Sequence, residues 1–79
     1  MTPKELSDEY WGRLWTVDPG SPAYRALEAA SDALENAQSL QEARTIYQRH
    51  IESLQQRIQQ DQLALQQFEH VLKELEQHV

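Results

Sequence analysis

The chain holds no cysteine, two glycines, three prolines and no long apolar run. Each shortage excludes something. Without cysteine there is no disulfide, no thiolate-held metal and no cysteine nucleophile. Gly12 and Gly20 do not make a phosphate-cradling loop, and no nucleophile elbow or metal-binding signature is present. No stretch of about 18 apolar residues is available to span a bilayer, and no charged-then-apolar leader is visible. Basic residues are also few: 7 Lys plus Arg stand against 13 Asp plus Glu, a formal net charge of -6. That surplus argues against binding a phosphate backbone. Polar faces rich in Gln and Glu rather than Lys argue against an anionic membrane surface. The expectation is therefore a cytoplasmic protein that binds neither nucleic acid nor membrane directly.

What the chain does contain is helical patterning over 79 residues, enough for a single small domain. Asp18-Pro19-Gly20-Ser21-Pro22 cannot continue a helix. Asn36-Ala37-Gln38-Ser39 is a weaker break. These divide the chain into helices expected at about 3–15, 22–37 and 40–77. The first opens on Thr2-Pro3-Lys4-Glu5, a cap, a proline at the first helical position and a capping-box acid. Leu6, Tyr10 and Leu14 recur every four residues along it, with Trp11 and Trp15 in the next row. Gly12 weakens this helix by up to ~1 kcal/mol relative to alanine. The second opens on Ser21-Pro22 and carries the seam Ala23, Leu27, Ala30, Leu34, Ala37. The third opens on the capping box Ser39-Leu40-Gln41-Glu42 and then meets no proline or glycine. Its apolar row runs from Leu40 through Tyr47, Ile51, Leu54 and Ile58 to Leu65, Phe68, Leu72, Leu75 and Val79. The row is interrupted at Asp61 and Gln62, which reads as a coiled-coil-like helix with a stutter.

Lengths then suggest association. A continuous helix over 40–77 would reach roughly 57 Å, against ~24 Å for the second helix. A hairpin of the two would leave the distal row bare, and a stripe of that size is unusual on a soluble monomer. The fold expected is thus all-α: a helical hairpin with a short N-terminal helix and a long C-terminal one, completed by self-association as a homodimer or small bundle. Ile58, Leu65, Phe68, Leu72 and Leu75 are the expected self-association residues. Glu28, Asp32 and Glu35 are expected to face Arg44 and Arg49 across the hairpin.

Three groups are candidate sites. Tyr10, Trp11 and Trp15 form the one aromatic cluster of the N-terminal half; they suit either core packing or a partner contact, since Trp and Tyr are favoured at binding hot spots. His70, Glu74 and His78 share a helix face, but the two histidines stand two turns apart, ~12 Å, so a single ion does not readily meet both. The simpler reading is a solvated face with no metal. His50 borders the apolar row as a boundary residue or a register-fixing one. Paired carboxylates abound without a cleft that would raise a pKa, so neither catalysis nor a cofactor is expected.

Ser39-Leu40-Gln41-Glu42-Ala43-Arg44-Thr45-Ile46-Tyr47, preceded by Leu34-Glu35, resembles the inter-helix segment of the exodeoxyribonuclease VII small-subunit family. The likeness covers about a fifth of the chain. That family's glycines around the segment are absent, Asn36, Ala37 and His50 standing there instead. The resemblance implies a short acidic helical hairpin that binds a large nuclease subunit; no functional residue carries over. Two functions are therefore expected from different directions. The first is a non-catalytic helical adaptor that self-associates through its C-terminal helix and contacts another protein. The alternative is a non-catalytic small subunit or regulator of a larger enzyme.

Overall fold

A computed structural model describes residues 2–57 and 62–79. Among these residues there are four helices and no strand: α1 (Pro3–Leu14), α2 (Pro22–Asn36), α3 (Leu40–Arg57) and α4 (Gln62–His78). The helix starts follow from side-chain chemistry. Thr2 Oγ1 accepts from Glu5 N at 3.2 Å, Ser21 Oγ from Tyr24 N at 3.3 Å and Ser39 Oγ from Glu42 N at 3.1 Å. Each bond satisfies an amide that the first helical turn leaves unpaired. Glu42 also reaches back, its Oε2 accepting from Gln38 N at 3.3 Å. Between α1 and α2 the reversal is held by Asp18, whose side-chain carboxylate accepts from Gly20 N and whose carbonyl accepts from Ser21 N and Ser21 Oγ.

α2 is the hub, packing against α1, α3 and α4. This is why its buried face is wider than a single seam: Ala26, Ser31 and Ala33 are buried alongside Leu27, Ala30 and Leu34. On α1 the row Leu6, Tyr10, Leu14 is buried, and Ser7 sits at the crossing with α2, its Oγ donating to Ser31 O at 3.4 Å. Ser31 Oγ in turn donates to Leu27 O at 3.0 Å, so both hydroxyls buried at this crossing are satisfied. Gly12 has a helical backbone with open space where a Cβ would stand. Gly12→Ala is accordingly expected to stabilise the chain by about 0.5–1 kcal/mol; a urea-denaturation midpoint that stays put or falls would contradict this.

One expectation from sequence is corrected. Residues 40–77 do not form a single rod; they contain two helices, of 18 and 17 residues, that pack against one another. The rings of Tyr47 and Phe68 stack with centroids 6.0 Å apart. In one straight helix those two positions would lie roughly 31 Å apart at 1.5 Å per residue. At about 27 Å and 26 Å, α3 and α4 are close to the ~22 Å of α2, so neither outruns its neighbours. The mismatch of reach disappears, and α2 and α3 cover the α4 row that a second molecule was expected to cover. Ile58 and Asp61 lie outside the described residues.

Candidate functional site

The expected self-association row is largely spent inside the chain. Phe68 and Leu75 are buried, Leu72 packs half-buried against the same core and Leu65 is half-buried. Nor do Glu28 and Asp32 pair with Arg44 or Arg49. The salt bridges among the described residues both belong to Glu74. Glu35 instead accepts from Trp11 Nε1 at 2.8 Å, fastening α1 to α2.

The aromatic cluster divides into three roles. Tyr10 is a core residue, 2% exposed, with Arg13 lying 5.4 Å above its ring. Its hydroxyl has no hydrogen-bond partner among the described residues. Burial, reinforced by the Glu74 carboxylate, pushes its pKa up to about 12. Trp11 is half-buried, with its indole N–H committed to Glu35. Trp15, just past the end of α1, is 89% exposed. Beside it is a hollow of about 300 Å³ lined by Trp11, Leu14, Trp15, Val17, Pro19 and Tyr24. Sequence alone pointed to the two tryptophans but missed Val17, Pro19 and Tyr24. The available signal was Val17 and Tyr24 flanking the Pro-Gly break, where a tight reversal brings the end of α1 and the start of α2 side by side.

α1 is tied to the far helix by charge. Arg13 Nη1 donates to Glu74 Oε2 at 2.6 Å and Nη2 to Oε1 at 3.5 Å. That bond holds the Arg13 pKa above its ordinary value. His70 Nε2 lies 3.4 Å from Glu74 Oε1. Glu74 is therefore occupied by α1 rather than standing open between His70 and His78, and no group of three or more His, Cys, Asp or Glu suited to a metal occurs among the described residues.

A second concavity, of about 410 Å³, runs between α2 and α3. Its walls carry Ala29 and Ala33 from α2 and Ile46 and Leu54 from α3, and Phe68 of α4 is reached at its base. His50 lies on the α3 side with its ring 5.8 Å from that of Phe68. The histidine expected at the edge of the apolar row thus belongs to the lip of this groove.

Against known proteins, the chain matches no protein-family model, no curated protein and no solved structure. The segment Ser39–Tyr47 caps and opens α3 at the α2–α3 joint. None of the helices, over the described residues, is long and apolar enough to cross a membrane.

Proposed function

We propose that this chain is a small, non-catalytic helical module that docks another protein through the aromatic hollow at the α1–α2 reversal. The observation that carries the reading is Trp15, 89% exposed beside an apolar hollow of about 300 Å³. A large side chain left in water forgoes the ~1.5–3 kcal/mol that burying a large apolar side chain contributes. Tryptophan is also over-represented among residues that dominate binding. Backing by Trp11, whose orientation is fixed through Glu35, makes the surface preorganised.

A larger enzyme is a fitting partner class, in which case the chain acts as its non-catalytic small subunit. The likeness of Ser39–Tyr47 to a nuclease small-subunit family supports that version. Self-association draws less support than the sequence suggested, because Phe68 and Leu75 already serve this chain's own core. A second copy would more readily use the hollow than α4.

Affinity capture with the tagged full chain, alongside sedimentation, tests the proposal. One partner should be retained by the native chain and bound at least about 30-fold more weakly by Trp15→Ala, the ~2 kcal/mol expected of a hot-spot tryptophan. Far-ultraviolet circular dichroism of the variant should be unchanged, since Trp15 lies outside the core. Retention unaffected by Trp15→Ala would refute the hollow as the contact. Dimerisation abolished by Trp15→Ala would reassign the hollow to a second copy.

A further inference from the structure

The groove between α2 and α3 lies on a different part of the surface from Trp15 and is left unfilled by the described residues. Two helices wall it and a third closes its base, so a guest helix would complete a bundle there. Ala29 and Ala33, four apart on α2, lie on one wall and keep that side low enough for a helix backbone to approach. Ile46 and Leu54, both half-buried, offer the apolar contact area, with the buried Phe68 ring beneath them.

Charge selects among guests. Glu28 and Asp32 stand one helical turn apart on the α2 lip, and both are exposed. Neither forms an ion pair among the described residues. Arg25 offsets this only at the N-terminal end of the lip, and His50 faces them from α3. The whole chain carries -6, so a second copy would bring more negative charge toward an already acidic edge. Opposite charge across a contact speeds encounter and suppresses wrong partners. We propose that this groove docks an amphipathic helix of another protein, apolar on one face and carrying Lys or Arg along the edge that meets Glu28 and Asp32. The proposal rests on reading the chain as an interaction module but does not depend on the Trp15 hollow.

The probe is a synthetic amphipathic peptide of about five turns, ~18 residues, with leucines on one face and lysines along its edges. A second peptide has glutamates in place of the lysines. Each is titrated into the isotopically labelled full chain and followed by amide chemical shifts. The lysine peptide should perturb Ala29, Ala33, Ile46 and Leu54. The glutamate peptide should bind at least about tenfold more weakly. Glu28→Lys with Asp32→Lys should cost the lysine peptide a similar factor, whereas Trp15→Ala should leave its affinity unchanged. Both substituted acids are exposed, so folding should survive, and a native circular dichroism spectrum checks it. The proposal is overturned by equal affinity for the two peptides, by shifts that fall on Trp11 and Tyr24 instead, by no saturable binding up to millimolar peptide, or by a second copy found seated on the groove. A Trp15→Ala variant that still captures its partner would refute the hollow and leave this result standing.

Discussion

Phe68→Ala is expected to lower stability by about 3–5 kcal/mol, the range for deleting a buried aromatic ring. Small domains hold only ~5–15 kcal/mol in total, so the variant should be largely unfolded near physiological temperature or close to it. Phe68 is 5% exposed, stacks on Tyr47 and lies 5.8 Å from the His50 ring. The loss therefore loosens α4 from α3 and removes the base of the α2–α3 groove at one stroke. The same experiment decides between two origins of the burial. If Phe68 is covered by its own chain, the denaturation midpoint of the native protein is independent of protein concentration. Were it covered by a second molecule across a continuous rod, the midpoint would climb with concentration by mass action. Urea melts of native and Phe68→Ala chains at widely separated concentrations read both quantities. A loss under about 1 kcal/mol, well below the range for buried rings, would contradict the packing described for α4.

Why the sequence misjudged α4 while reading the other helices closely is a matter of how each boundary is written. The reversal at Asp18–Pro22 is made of residues that cannot be helical, and the caps Thr2, Ser21 and Ser39 accept the amide bonds their residue types imply. Those features are local, so one sequence displays them. The boundary between α3 and α4 contains no proline or glycine, only strong helix formers on either side. Its one written sign was the apolar row failing at Asp61 and Gln62. α4 begins at Gln62, where that row fails. Read as a stutter, that gap kept the rod whole; read as a helix start, it would have split the rod. The seam of α2 shows a different limit. The single seam read from the sequence assumes one neighbour and so does not include Ala26 and Ala33, which are buried because the tertiary arrangement puts helices on several sides. The aromatic cluster shows a third. Spacing placed Tyr10 and Trp11 on adjoining rows, but whether a row meets the core or water depends on where α2 and α4 lie. Trp15 follows Trp11 by four residues and lies on the same side of α1. Trp15, the C-cap just past Leu14, still has helical backbone angles, yet it is 89% exposed because none of the described helices covers it.

Alkali should unfold this protein, and two tyrosines are the reason. Tyr47 is fully buried and its hydroxyl donates to Ala26 O at 3.1 Å. Burial, aided by nearby Tyr10, drives its pKa well above the ordinary 10.0. Burial likewise carries Tyr10 from 10.0 to about 12, with Glu74 adding to the rise and Arg13 opposing it. In both cases the native state favours the neutral phenol. Raised pKa values of this kind contribute stability that is complete below pH 10, the unfolded value, and that drains away as pH climbs through the folded values. The window for Tyr10 therefore opens near pH 10 and closes near pH 12, and the contribution of Tyr47 continues to erode above it. Tyrosinate absorbance and far-ultraviolet circular dichroism, followed together upward from neutral pH, should change in one cooperative step for these buried phenols. Two substitutions separate the contributions. Tyr10→Phe removes a buried hydroxyl that has no partner among the described residues, so it should be near neutral or mildly stabilising at pH 7 and shift alkaline unfolding upward. Tyr47→Phe removes the bond to Ala26 O, a carbonyl that lies inside α2 and keeps its helical amide donor, so it should cost about 0.5–1.5 kcal/mol at pH 7 while also removing an ionisable group from the interior. Titration of all the tyrosines near their ordinary value with the helices intact would mean that Tyr10 and Tyr47 are open to water, and the shared core of α1, α2 and α3 would have to be redrawn.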